Sequence, residues 1–320
     1  MKVVAHHACA QLTIVAFFTA ACGCGSHAST GGLGGSSGVI GTGGVAGTGG
    51  RTSTGGVSGT AGVAAGGGTV GSGGTIGTGT GGTASCKRGI AANTAPGAAF
   101  YPAVTWWYNW AIQGTDARTG IERVPMIWGS GSINSAIPSG SRFLLTFNEP
   151  NFMAQSNLTA AQAASYWTAI TSNAAGIPIV GPGMNFCGPA AQCNGTDPYQ
   201  YLKDFFAACT GCEVDYVAVH WYNCDLPSLK DYLEPGGNLA GFEQFGKPIW
   251  LTEFSCDGNA TMGQQEAYMR AAIPYLEGNP KVFRYSWFSA DPIPGAKLIN
   301  SDGTPTALGQ VYIDLPQSCR

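Results

Sequence analysis

Residues 23–85 contain almost nothing that could build a core, so whatever folds in this chain must fold after them. From residue 26 onward the stretch is almost wholly Gly, Thr, Ser, Ala and Val, with no aromatic residue and one formal charge, Arg51. Gly-Thr-Gly-Gly recurs at 41–44, 47–50 and 79–82, with small variants between. So little apolar area cannot offset the entropy of ordering the chain, which predicts a disordered tether. Its r.m.s. reach would be about 40 Å for a flexible Gly-rich coil of this length. A collagen-like reading fails because the glycines keep no three-residue period. Folding is confined to residues 86–320. That length suits one domain better than two, and it is close to the roughly 250 residues of a compact eight-stranded α/β barrel.

The segment ahead of the tether reads as an export signal over residues 1–22. Lys2 supplies the positive end, and Leu12 to Ala21 is an apolar run shorter than the ~20 residues needed to span a bilayer. It closes on Thr19-Ala20-Ala21-Cys22, small residues before a cysteine, similar to the bacterial lipobox except that Thr19 stands where an aliphatic residue is usual. The expectation is a bacterial protein that is secreted or held at the outer surface by a lipid on Cys22.

Eleven cysteines are present, and Cys9, Cys22 and Cys24 fall in or beside the signal. The rest are Cys86, Cys187, Cys193, Cys209, Cys212, Cys224, Cys256 and Cys319. An even number in an exported domain points to disulfides. Cys86 with Cys319 would staple the domain ends, Cys187 with Cys193 a small loop, and Cys209 with Cys212 a tight one. Cys224 and Cys256 each follow an apolar run and would meet above adjacent strands. Zinc is the competing reading, but Cys209-Thr210-Gly211-Cys212 is a lone C-x-x-C with no second pair at ribbon spacing, so no metal is expected. The formal charge of −3, with no Lys/Arg run, excludes a nucleic-acid footprint. The 8 tryptophans, many beside polar residues, suit a groove in which sugar faces stack on indoles.

Eight short apolar, β-branched or aromatic runs follow, bounded by Gly, Pro or Asn. They are Arg88–Asn93, Val104–Trp110, Val124–Trp128, Phe143–Asn148, Ile177–Gly181, Val214–Trp221, Pro248–Phe254 and Val282–Phe288. Several are continuously apolar, as strands buried on both faces must be. Helical patterns separate the later runs: Thr159–Ala175 with Asn157 or Thr159 as a cap, Asp197–Cys209 opening on Asp-Pro, and Thr261–Leu276 with Pro274 inside. The early connections are short and hold little helix. Strand alternating with helix gives a parallel sheet, and eight such strands give an α/β fold of the (β/α)8, TIM-like kind, with an open doubly wound sheet as the alternative. No G-x-G-x-x-G or phosphate-loop pattern follows an early strand, and no cofactor is expected.

In parallel α/β folds the active site gathers where strands end. The fourth run ends in Asn148-Glu149-Pro150 and the seventh in Thr252-Glu253-Phe254. A glutamate closing an apolar strand is costly to bury unless it is hydrogen-bonded or used. Two of them across a barrel mouth are what a retaining glycosidase needs: an acid/base and a nucleophile about 5–5.5 Å apart. The sixth run ends in His220-Trp221-Tyr222, the eighth in Tyr285-Ser286-Trp287-Phe288, and the second carries Trp106-Trp107-Tyr108-Asn109-Trp110. His220 and Tyr222 lie on the strand beside Glu253, where either can orient it; a satisfied core histidine is the alternative for His220. Trp107, Trp110, Trp221 and Trp287, with Trp106, are candidate sugar platforms. Alternation along a strand forbids Trp106 and Trp107 from both facing the interior, and places Tyr108 and Trp110 inward or at the rim.

Together these motifs resemble glycoside hydrolase family 128, of the clan whose catalytic glutamates sit on strands four and seven. The match rests on Trp107-Tyr108-Asn109-Trp110, Val124–Gly129, Leu144–Asn151, His220-Trp221-Tyr222, Ile249–Phe254 and the tail Asn300–Gly309, and spans Lys87 to Leu315. The resemblance implies a compact (β/α)8 barrel acting on β-1,3-glucan by retention. It makes Glu149 the acid/base and Glu253 the nucleophile, with Asn148 on the sugar 2-hydroxyl. The tether and signal are no part of it. A monomer acting endo on β-1,3-glucan is expected; exo action or another β-glycan, and a tethered glycan binder without catalysis, are the alternatives.

Overall fold

The computed structural model describes residues 86–114, 120–290 and 293–319. The expected export signal, lipid-bearing Cys22 and tether fall on residues 1–85, outside the described residues. The described residues form a single sheet of nine strands with helices around it. The strands are β1 (Arg88–Ala91), β2 (Trp106–Tyr108), β3 (Glu122–Arg123), β4 (Met126–Ile127), β5 (Leu144–Asn148), β6 (Ile179–Met184), β7 (Tyr216–Tyr222), β8 (Ile249–Ser255) and β9 (Val282–Phe288). Their order is β3-β2-β1-β9-β8-β7-β6-β5-β4, and every pairing is parallel.

The two ends of that sheet, β3 and β4, are separated only by Val124 and Pro125. The sheet therefore curls round until its ends meet in one stretch of extended chain. Val124 N–H bonds to Trp107 O on the β2 side, while Pro125 O accepts from Leu145 N–H on the β5 side. The expected third run is thus one stave in two pieces, broken where Pro125 has no N–H to give. The α/β, TIM-like architecture follows, and the open doubly wound alternative does not, because an open sheet would leave two distant edges.

The helices are α1 (Ala160–Ser165), α2 (Trp167–Ala174), α3 (Pro198–Ala208), α4 (Leu226–Leu233), α5 (Met262–Gly278) and α6 (Ala307–Asp314). All lie after β5, and among the described residues only 3-10 turns interrupt the earlier connections. Thr159 and Thr261 each close a capping box with the glutamine three residues on, and Asp197 caps α3 ahead of Pro198. The expected helix over 159–175 is divided at Tyr166, and α4 and α6 were not anticipated. β6 also departs from expectation. Gly181-Pro182-Gly183 looks like a strand terminator, yet the strand runs through it to Met184.

The strands read as apolar because both faces are covered: all five residues of β5 and all seven of β8 are buried. At the amino end of the barrel the interior is aromatic. Trp106, Phe143 and Trp250 surround the Arg284 guanidinium at 5.5, 4.5 and 4.9 Å from their ring centroids, and Glu122 pairs with it at 2.8 Å. Gly89 is required here, because a Cβ would lie 2.2 Å from the Trp106 ring. The chain ends are tied by Cys86–Cys319 and by Arg88, which donates to Tyr312 O and Leu315 O. Cys187–Cys193, Cys209–Cys212 and Cys224–Cys256 complete the four expected bridges. Among the described residues no helix is long and apolar enough to cross a membrane.

These pairings account for all eight cysteines of the domain. Alkylating the denatured, unreduced protein and mapping the labelled peptides should mark no cysteine from Cys86 to Cys319; several labelled sites there would refute the pairing.

Candidate active site

Parallel strands bring their carboxyl ends to one face, and there the side chains of β2, β5, β7 and β8 converge. Glu149 directly follows β5, Glu253 lies on β8, and His220 stands between them on β7, the strand paired with β8. All three are buried, Glu149 and Glu253 to 2 % and 1 % residual exposure. His220 Nδ1 is 2.9 Å from Glu149 Oε1 and 3.4 Å from Glu253 Oε2. One ligand-capable atom from each of the three lies within 4.8 Å of the others, which fixes how closely the carboxylates approach.

The two glutamates are held differently. Glu253 Oε1 accepts from Trp110 Nε1 at 2.7 Å and Tyr108 OH at 3.0 Å, and Tyr222 OH donates to Oε2. Glu149 Oε1 accepts from Asn185 Nδ2 at 3.2 Å and meets His220. Neutral O–H and N–H donors thus crowd one carboxylate, while the other has an amide and the imidazole. Burial raises the Glu253 carboxyl above the ordinary range; His220 opposes that, Glu149 adds to it, and the Tyr222 and Trp110 bonds oppose it again. His220 is itself raised: burial disfavours its charge, but Glu253 and Glu149 outweigh burial. Tyr108 and Tyr222 lie well above the usual phenol value, from burial first and then from the carboxylates they face, so both remain donors.

Backbone geometry at these positions is unusual. Phe147, Glu149 and Trp110 have φ of 39°, 41° and 58°, a region non-glycine residues seldom enter. Such strain persists only where the surroundings over-determine it, and here it turns a carboxylate and an indole into the mouth of the barrel. Gly183 on β6 completes the fit: a Cβ there would lie 2.9 Å from His220 Nε2, which has no hydrogen-bond partner. Tyr108, Met126, Leu145, Thr146, Ala218 and Thr252 line, with His220, a narrow space inside the barrel. The cluster could offer three ligand atoms to a cation. However, the oxygens of Glu253 already accept from Trp110, Tyr108 and Tyr222, and the Trp110 N–H cannot ligate a cation.

The structure brings Glu149, Glu253, Asn148, His220, Tyr222 and Trp110 together. Tyr108 faces inward, as alternation requires. Asn148 donates through Nδ2 to Gln155 Oε1 at 3.2 Å, and its Oδ1 has no partner. Trp110 is a hydrogen-bond donor to Glu253, not a sugar platform. The platform reading is also corrected at four other tryptophans, of which Trp106 is fully buried over Arg284. Trp107 alternates with Tyr108 and so faces away from the interior, with 4 % exposure. Trp221 alternates with His220 and Tyr222 and packs on Tyr232 at 4.7 Å. Trp287 is fully buried and donates to Ala296 O at 2.9 Å. Asn185 was missed because β6 was read as ending at Gly181; a strand continued to Met184 would have placed it at the catalytic face.

The model of the glycosyl hydrolase catalytic core matches residues 89–312. A GH128 subgroup II endo-β-1,3-glucanase from Sorangium cellulosum is 40 % identical, with a TM-score of 0.62, over 72 % of this chain and 99 % of that one. A subgroup I endo-β-1,3-glucanase from Amycolatopsis mediterranei, solved with laminaritriose, is 28 % identical with a TM-score of 0.59, over 71 % and 98 %. A subgroup III curdlan-specific exo-β-1,3-glucanase from Blastomyces gilchristii, solved with glucose, is 27 % identical with a TM-score of 0.55, over 72 % and 98 %. Alkali-sensitive linkage protein 1 of Schizosaccharomyces pombe is 33 % identical over 226 residues; the match spans 66 % of this chain and 40 % of that protein.

Because folding raises the Glu253 carboxyl, the ionised form weakens the native state. Stability is lost as pH rises from the unfolded value of about 4.3 through the higher folded one. Glu253→Gln should therefore raise the melting temperature at pH 7, and the gain should shrink as the pH is lowered towards about 4. Scanning calorimetry across that range checks it.

Proposed function

Since the chain belongs to the glycosyl hydrolase catalytic core and, within it, to glycoside hydrolase family 128, we propose that this glycoside hydrolase is a retaining endo-β-1,3-glucanase. The observation that carries the reading is the pair Glu149 and Glu253, buried at the carboxyl ends of β5 and β8 with side-chain oxygens within 4.8 Å. Retention needs carboxyls about 5–5.5 Å apart, whereas inversion needs ~6.5–9.5 Å to admit a water between.

The asymmetry of donors supports a division of roles. Glu253, with Tyr108, Trp110 and Tyr222 directed at its oxygens, is the nucleophile. Glu149 is the acid/base. The hydrogen bonds that Tyr108, Trp110 and Tyr222 donate to Glu253 favour its ionised form and oppose the effect of burial. In the first step Glu149 gives its proton to the bridging oxygen, the leaving sugar departs, and a Glu253 oxygen bonds to the anomeric carbon. In the second, Glu149 takes a proton from water, the water oxygen bonds to that carbon, and the Glu253 ester breaks. His220, within reach of both carboxylates, fixes their separation. Asn148, with an unpartnered Oδ1 and an amide shared with Gln155, is placed to exchange that contact for the sugar 2-hydroxyl.

The endo mode is supported by the Sorangium and Amycolatopsis enzymes, both named as endo-acting. Exo action is the second reading, because the Blastomyces relative is named an exo-enzyme on a similar fold. The disulfides suit an oxidising compartment. They support export, with the tether holding the domain of residues 86–320 away from a membrane to which Cys22 is anchored. The bacterial form of that anchor rests on the Thr19–Cys22 segment alone. A Cys22→Ser variant should pass from the membrane fraction to the soluble one, followed by immunoblot; unchanged partition would rule the anchor out.

Incubated with laminarin-type glucan, the protein should release mixed oligosaccharides early, with the β-anomer forming first by NMR. Glu253→Gln should abolish turnover and keep the fold. Near-normal activity in that variant would end the assignment, glucose alone from the outset would favour exo action, and tight glucan binding with no reducing-sugar release would favour a non-catalytic binder.

A further inference from the structure

Among the described residues, the exposed large apolar side chains are Tyr101, Met153, Phe186 and Met262. Met153 and Phe186 stand on the catalytic face, in the loops that follow β5 and β6. Phe186 is 40 % exposed, yet its surroundings are unusually fixed. Asn185 donates to Glu149 Oε1 through Nδ2 and accepts the Phe186 N–H through Oδ1 at 2.9 Å. One amide side chain thus ties the backbone of Phe186 to the carboxylate. On the other side Cys187 is bonded to Cys193, closing the loop.

That loop is knitted to the one carrying Glu149. Asn194 N–H bonds to Asn151 O at 2.7 Å, Met153 N–H to Gln192 O at 2.9 Å, and Asn151 Nδ2 to Asn185 O at 2.8 Å. The Phe186 ring rests edge-on against Tyr199 and tilted against Tyr232, with centroids 5.9 and 5.7 Å away. A ring held this firmly has little rotamer freedom left to lose on binding. It has no polar atom, so what it offers is a flat apolar face, complementary to the C–H face of a pyranose.

Its position selects which sugar. An acid/base must lie against the bridging oxygen it protonates, so the sugar being released sits beside Glu149, whose Oε1 is bonded by Asn185, the residue that precedes Phe186. We propose that Phe186 is the stacking platform for the leaving-group side of the glucan, pre-positioned by Asn185 and the Cys187–Cys193 loop. The assignment of a side rests on Glu149 being the acid/base. It gives Asn185-Phe186-Cys187 three linked tasks: holding the acid, seating the departing sugar and locking the loop.

The test compares laminarihexaose, which places sugars on both sides of the cut, with β-laminaribiosyl fluoride, whose leaving group is an ion with nothing to stack. In Phe186→Ala the ratio of kcat/KM for hexaose to that for fluoride should fall about 3–10-fold, the size of one aromatic stacking contact. Phe186→Leu, which keeps apolar packing against Tyr199 and Tyr232, should show the same fall with an unchanged melting temperature, and Phe186→Trp should restore the ratio. An unchanged ratio, or an equal loss on both substrates, overturns the platform, the latter because Phe186 would then only be holding Asn185 in place. Wild-type turnover separates this from the glucanase reading: an active wild type with an indifferent ratio removes the platform alone, and a wild type inactive on both substrates removes both.

Discussion

Two carboxylates and an imidazole are buried within hydrogen-bonding reach of one another at the mouth of this barrel, and most of the surrounding structure answers to that. Burying a carboxylate is expensive, and burying two side by side is worse, because each repels the charge of the other. His220 relieves part of the repulsion through one nitrogen directed at both. The rest is handled asymmetrically. Tyr108 and Trp110 from the second stave and Tyr222 from the sixth surround Glu253, while Asn185 reaches Glu149 from the fifth. No single strand could assemble this set; it requires parallel strands ending on one face.

The scaffold that delivers them is economical. Among the described residues the first half of the barrel has no α-helix between its strands, so there the outer cover comes from loops and from the side chains themselves. All four disulfides lie beyond the ends of strands or helices, and Cys224–Cys256 joins the segments just past Tyr222 and Ser255. With so little helix to brace the early strands, the closed aromatic layer around Arg284 at the amino end and the tie between Cys86 and Cys319 hold the sheet in its curl. Positive φ at Phe147, Glu149 and Trp110 shows where that rigidity is used to keep strained backbone in place.

Several parts of this arrangement were legible in the residues. Strands buried on both faces read as apolar runs, and Glu149 and Glu253 stood out because a glutamate closing such a run is costly to bury unless it is hydrogen-bonded or used, and here there are two. Tyr108 was placed inward by alternation alone. The four cysteine pairs followed from spacing and from which runs ended near one another. The tryptophans were misjudged for a common reason: their number suggests stacking platforms, but number carries no direction. Trp107 and Trp221 lie on the face opposite the inward residues beside them, Trp287 is engulfed, and Trp110 turns its N–H to the nucleophile position through a backbone conformation that local sequence does not announce. Asn185 escaped notice because Gly181-Pro182-Gly183 carries the signature of a turn, whereas the strand needs Gly183 to make room for His220.

The sequence by itself determined which residues could form strands and that Glu149 and Glu253 stand at the ends of two of them, and therefore that two glutamates would arrive at one face of a parallel sheet. Those are consequences of local apolar pattern and chain continuity. Which donor meets which carboxylate, which indoles face outward, and how Phe186 comes to lie fixed and open beside Glu149 were decided only when distant segments closed on one another. Distances of a few ångströms between side chains from separate staves are set by the curl of the whole sheet and the packing within it, and no stretch of the chain encodes them alone.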